Sequence, residues 1–415
     1  MRLFLTTALC TLALPALAVE KTEVVAHYAD IGLATYSDAL TTAQALQQAV
    51  AALVATPSEA TLQAARDAWK AARVPYQQSE AFRFGNPVVD DWEGRVNSWP
   101  LDEGLIDYVE AGSALNEENA QAGLNVIATP KFVLSGAEVD ATTITPDLIA
   151  TRLHEAEGIE ANVASGYHAV EFMLWGQDLN GTGPGAGARP WTDFSATDCT
   201  GGNCDRRAAY LVAATQLLVD DLTEMVGNWG PEGAARKVVT DDPTKGVMAI
   251  LTGMGSLSYG ELGGERMKLG LLLNDPEEEQ DCFSDNTQNS HYYDGIGIRN
   301  VYTGAYTRVD GTVLQGPALA DLVQAADPAV DAELRAKLDA SVAALGAVKA
   351  RAESGMAYDQ MIEAGNAEGE ALIMGAVDAL VDQTKTIERA VTALGLDQIA
   401  FEGSDSLDNP DAIFQ

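Results

Sequence analysis

A chain of 415 residues, 47% of them hydrophobic, is long enough for two or three packed units and too apolar to be disordered. Its formal charge of −36 repels nucleic acid and anionic lipid and concentrates cations at the surface, although such a charge also serves solubility in salt. Beyond residue 18 no stretch approaches the ~20 apolar residues of a spanning helix, because Asp, Glu, Gln or Gly interrupts each one, which argues against bilayer insertion.

Residues 1–18 read as an export signal, with Arg2 in front, an apolar run over 3–17 and Ala16-Leu-Ala18 as the cleavage site. Leu9 stands where a lipid-anchored form needs a small residue before Cys10, so the expected product is an unanchored chain beginning at Val19. Cys10 leaves with the signal. Of the remaining thiols, Cys199 and Cys204 can close a small loop disulfide in an oxidising compartment, leaving Cys282 free.

Thr56-Pro-Ser-Glu59 predicts a helix start with Thr56 as N-cap, followed by Leu62, Ala65, Trp69, Ala72 and Tyr76 on one face. Pro75 should kink or end that helix just before Glu80. Further helices are expected after Asp205 (Leu211, Ala214, Leu218, Leu222, Met225) and after Asp327-Pro328 (Val330, Leu334, Leu338, Val342, Leu345). A last one carries Ile373, Val377, Leu380, Thr384, Ile387, Val391 and Leu394 and stops at Gly395. Residues 84–105, 180–187 and 274–300 read as long irregular loops, and no alternating strand run is present. The expected fold is all-α: two helical-bundle halves, 19–200 and 201–415, joined through the glycine-rich loop at 180–187, in a layout compatible with an internal duplication.

The chemistry centres on Gly166-Tyr-His-Ala-Val-Glu171. Residues three apart on a helix project from one side, so His168 and Glu171 can share an ion, and imidazole with carboxylate suits iron, zinc, copper or manganese. The same spacing also describes a buried hydrogen-bonded pair. Gly166 weakens the helix and so points to close approach by a neighbouring backbone. A site needs a third ligand, for which Glu80 is the first choice and Asp102, Glu103 and Asp107 are reserves. His154-Glu155 does not begin a zinc-protease motif, because Gly158 stands where the second histidine belongs. The inverted motif fails as well, since Phe172 follows Glu171. The acidic segment 275–286 lacks the glycine and glutamate of a calcium loop and reads as solvated. His291, beside Tyr292 and Tyr293, is either a pocket residue or an ordinary loop histidine.

The Gly166-x-His168-x-x-Glu171 motif is followed by Phe172-Met-Leu-Trp-Gly-Gln-Asp-Leu-Asn-Gly-Thr-Gly-Pro-Gly-Ala-Gly187 and Arg189-Pro-Trp191. Later come Gly264-Glu-Arg-Met267, Asp275-Pro-Glu-Glu-Glu279, Asp281-Cys-Phe-Ser-Asp-Asn286 and Gly297-Ile-Arg-Asn-Val-Tyr302. This ordered set resembles the imelysin-like family, also called the insulin-cleaving metalloprotease or iron-regulated protein family, over nearly the whole mature chain. The resemblance implies an all-helical protein exported to the periplasm, with association with the outer membrane left open. It implies a metal site at His168 and Glu171, joined by Glu80 from an earlier helix. Iron is favoured, with zinc or copper as alternatives, and the partners would be a metal ion or chelate and an iron-uptake component of the membrane. Glu265 and Arg266 would shape a cleft, as a charged pair or an anion contact. The family's peptidase activity would use zinc at the same residues, but this chain supplies no second zinc histidine and no separate base.

Overall fold

The computed structural model describes residues 19–112 and 119–414, so the export signal expected over 1–18 lies outside the described residues. The first helix, α1 (Lys21–Ala55), turns back through three residues into α2 (Glu59–Ser79), and the two pack along each other. The cap of α2 is Ser58, two residues later than expected: its hydroxyl accepts from Thr61 N at 3.2 Å, while the Thr61 side chain accepts from Ser58 N at 3.0 Å. The reciprocal pair satisfies two amides that the helix start leaves free, which places Thr56 and Pro57 in the turn. The expected face of α2 is buried, and the helix runs on through Pro75 as far as Ser79.

Part of the stretch 84–105 is helical, contrary to expectation: Pro87 opens α3 (Pro87–Asn97) directly after Asn86. Two strands, β1 (Lys131–Leu134) and β2 (Ala137–Asp140), form an antiparallel hairpin too short to show a period-two signal. The motif helix α4 (Gly166–Trp175) is buried along its whole length and sits between α2 and α5 (Cys204–Trp229). Cys199 and Cys204 are disulfide-bonded at the start of α5, and Cys282 is free. Next, α6 (Pro243–Ser256) is capped by the Asp242 carboxylate and continues into a π-helical stretch, Leu257–Lys268.

The segment expected to be irregular over 274–300 instead contains α7 (Thr287–Thr303), followed by the hairpin β3 (Ala305–Thr307) and β4 (Val313–Gln315). Gln288, His291 and Asp294 of α7 are buried, so its inward face is polar and leaves no hydrophobic stripe to read. Its Gly297 lets α7 cross α2 closely, since a Cβ there would stand 2.5 Å from the Gln78 carbonyl oxygen. The chain closes with α8 (Pro328–Glu353), the short α9 (Tyr358–Ile362) and α10 (Ala367–Ala393). On α8 and α10 the expected seam from Val330 to Leu345 and from Ile373 to Val391 is buried.

The fold is therefore mostly helical, with one helix group built on α1, α2, α4 and α5 and another on α7, α8, α10 and the π-helical stretch, and α2 against α7 joining them. A division at 200/201 cuts through the first group, because α5 lies along α1.

Gly166 is the tightest crossing near the motif. Its φ is +81°, and a Cβ would fall 2.4 Å from the Val96 carbonyl oxygen at the end of α3. We expect Gly166→Ala to cost on the order of 3 kcal/mol, from the clash and the left-handed backbone together, and to lower the thermal midpoint by several degrees. Thermal unfolding measures it; an unchanged midpoint would show that α3 yields freely.

Candidate metal centre

Helix α4 carries His168 and Glu171 inward on adjacent turns, with His168 Nδ1 3.1 Å from Glu171 Oε2. The helix is anchored by the Trp69 indole, which donates to the Tyr167 carbonyl at 2.9 Å, and by the Trp69–Trp175 edge contact. A third group arrives from the turn before α7: Asp281 Oδ1 lies 3.8 Å from His168 Nδ1. His168, Glu171 and Asp281 are each 0% exposed, and each offers a ligand atom within 4.8 Å of the others.

Both carboxylates of the centre are held by neighbouring donors. Arg73 of α2 donates through Nη2 to Asp281 Oδ1 at 2.7 Å and through Nη1 to Asn97 Oδ1 at 2.6 Å. Asp281 Oδ2 accepts from the Asn286 amide at 2.9 Å and from the Ser290 hydroxyl. Glu171 Oε1 accepts from the Ser284 backbone amide at 3.0 Å. His168 Nε2, by contrast, is buried with no partner, a donor or acceptor left for a ligand.

Burial, with Arg73 adding to it, pushes His168 down to about 3, so the imidazole is neutral and available as a ligand at neutral pH. Burial and the adjacent Asp281 drive the Glu171 carboxyl well above its usual range, so an incoming cation would displace a proton there. Burial would raise Asp281 too, but Arg73 and then His168 outweigh it and hold that carboxylate below its ordinary value.

The other expected residues lie as follows. Glu80 is buried just past the end of α2 but is engaged by Arg266, whose Nη2 lies 2.7 Å from its Oε2. Arg266 also meets Glu261 at 2.8 Å and Asp294 at 3.1 Å. The expected Glu265–Arg266 pair is not formed: Glu265 is exposed, and three carboxylates already surround the guanidinium, which leaves it unsuited to a further anion. Both residues do line a cleft of about 330 Å³, together with Asn97 and Gln280, which stand next to Arg73 and Asp281 respectively. Asp107 is clamped between Arg189 and Arg207 at 2.7 and 2.6 Å. Asp102 accepts from Asn119, and Glu103 begins a short 3₁₀ turn, so neither joins the centre.

Asp281 and Arg73 were not singled out in the sequence. The acidic segment 275–286 is only partly solvated: Asp275 and Glu277 are exposed, but Glu279 and Asp281 are buried. His291 likewise lies inside α7, its ring edge-on to Tyr358 at 5.0 Å, with both ring nitrogens unpartnered.

Burial pushes His291 down to about 3 from 6.5, Arg266 adding to the effect. A depressed histidine contributes stability that is present above about 6.5 and lost as pH falls toward the folded value, because only the unfolded chain then takes up the proton. At about 1.4 kcal/mol per pH unit, wild type should lose on the order of 2 kcal/mol relative to His291→Gln between pH 6.5 and pH 5. Denaturant unfolding of both proteins across that range checks it; a difference independent of pH would refute the neutral, buried imidazole.

The family model for imelysin matches residues 32–387. The chain is 23% identical over 351 residues to a protein of Synechococcus elongatus named iron-regulated protein A, covering 84% of this chain and 79% of that one. A crystal structure from Parabacteroides distasonis, of a protein named as an iron-regulated protein A precursor, superposes with a TM-score of 0.64 at 20% identity. That match covers 90% of this chain and 95% of the other, a likeness of fold. With the family model spanning most of its length, the chain belongs to the imelysin family.

Proposed function

We propose that this protein is an exported iron-binding protein that captures the ion, free or chelated, through His168, Glu171 and Asp281. The observation that carries this reading is the convergence of one imidazole and two carboxylates in a fully buried position. Such a nitrogen and oxygen set suits iron, zinc or copper, and the names of the two relatives favour iron. In this reading Asp281 takes the place expected of Glu80, because a carboxylate oxygen of Asp281 lies within 4.8 Å of the other two ligand atoms whereas Glu80 is paired with Arg266 outside that group. Three protein ligands leave coordination positions for water or the donors of a chelate.

The export signal read at residues 1–18 supports a periplasmic location, and among the described residues no helix is long and apolar enough to cross a membrane. The ion would pass to an iron-uptake component of the membrane. Zinc-dependent peptide cleavage would use the same side chains, but a peptide bond must reach the metal, and the burial of all three ligands weighs against that, as it does against any chelate too bulky to enter.

Titration of chelator-stripped protein with ferrous iron, zinc and copper tests the proposal. His168→Ala and Asp281→Asn should each weaken iron binding by roughly 100-fold or more, and Glu80→Gln by much less. Affinity for all three metals indifferent to His168→Ala would overturn it, and chelator-sensitive proteolysis lost in that variant would establish the peptidase instead.

A further inference from the structure

Buried carboxylates in this protein are neutralised by arginine as a rule: Asp281 by Arg73, Glu80 and Asp294 by Arg266, Asp107 by Arg189. Among the described residues three buried acids have no arginine or lysine in an ion pair. One is Glu171, in the centre already described. The other two are Glu279 and Asp359, 1% and 2% exposed.

Glu279 precedes Asp281 by two residues, and Asp359 stands on α9, so two distant parts of the chain bring them together. Glu279 Oε2 accepts from the Thr287 hydroxyl at 3.2 Å, but its Oε1 has no partner. The Asp359 carboxylate is buried with no side-chain partner, near only the amides of Asp359 and Gln360 at the start of α9. Both side chains line one small cavity of about 10 Å³, whose wall also carries Asp178 and Glu277 toward the surface. That is room for about one water-sized body. An unpaired buried carboxylate costs several kcal/mol, and two facing one void repel each other as well. A cation in the void removes both costs.

The Tyr358 hydroxyl, next to Asp359 in the chain, and both nitrogens of His291, whose ring meets Tyr358, are also buried without partners. The loop that bears Glu279 continues through Asp281 to Ser284, whose amide holds Glu171. Cys282 and Phe283 in the cavity wall belong to that loop, so the cavity lies beside the turn that supplies Asp281, and Glu279 Oε1 in it lacks a partner that an ion and its waters would supply.

We propose that this cavity is a second cation site, for a hard divalent or trivalent ion bound by Glu279 and Asp359, with Asp178, Glu277 and water completing its shell. Its donors are all oxygen, the preference of hard ions, whereas the imidazole of His168 makes the centre suited to borderline metals. The second site does not require that the centre bind iron.

The test uses the chelator-stripped full chain with terbium as the probe, read by luminescence sensitised through the adjacent Tyr358 and checked by calcium competition. His168→Ala, which takes the imidazole from the centre and leaves the carboxylates of Glu171 and Asp281 in place, should still bind terbium. Adding Glu279→Gln and Asp359→Asn to that variant should weaken terbium binding by about tenfold or more. These near-isosteric replacements remove repulsion, so the chelated triple variant should unfold at or above the midpoint of His168→Ala and lose its terbium-induced rise. Terbium binding of equal strength with and without Glu279 and Asp359, or none at all in His168→Ala, would overturn the proposal. If zinc and iron binding ignore His168 while terbium still follows Glu279 and Asp359, the centre fails and the second site stands.

Discussion

The ion pair between Arg73 and Asp281 joins segments 208 residues apart and lies at the meeting point of α2, α4 and the turn into α7. Taking both charges out of water is expensive, and their mutual attraction repays it only where every remaining donor and acceptor is satisfied. Here the guanidinium reaches Asn97 and lies over the rings of Trp69, Tyr76 and Tyr167, while Asp281 takes the Asn286 amide and the Ser290 hydroxyl. The pair is thereby a locating device. It sets Asp281 against His168, and it keeps that carboxylate ionised beside a neighbour, Glu171, that burial drives toward the protonated form.

The same bookkeeping of charge runs through the interior. With 61 acidic residues against 25 Lys and Arg, basic side chains are few, and four arginines, Arg73, Arg189, Arg207 and Arg266, are buried on Asp281, Glu80, Asp294 and Asp107. Arg266 alone serves Glu80, Glu261 and Asp294, binding the end of α2 to the π-helical stretch and to α7. The widened helical turns of that stretch carry the guanidinium inward at a position where the two helix groups meet. What stays unpaired stands out against this background, and it lies around the metal centre.

Helices α8 and α10 were legible because their cores are aliphatic and repeat at three and four residues. Gly166 was legible too, since a glycine opening a helix signals a contact that a side chain would block. Helix α7 was not, because it turns Gln288, His291 and Asp294 inward and uses Gly297 to approach α2, leaving no apolar stripe. His168 and Glu171 could be paired from local spacing alone. Asp281 could not, since its place depends on a fold-level meeting with Arg73, and Glu80 was favoured without knowledge of Arg266, which lies 186 residues away. The division at residue 200 failed to follow packing for a related reason: no local pattern says that α5 returns to α1.

The hold on Glu171 by the Ser284 backbone amide carries a consequence for how the centre can drift or be redesigned. A main-chain donor belongs to any residue except proline, so this hydrogen bond does not depend on the side chain at 284, although burial there admits only a small one, and the path of the 281–284 turn is constrained. Insertion or deletion in that turn would displace the donor and Asp281 together, whereas a small side chain in place of Ser284 would displace neither. The centre is thus protected against point changes at one of its contacts and exposed to changes in loop length, an asymmetry that follows from using the backbone as a part of the site.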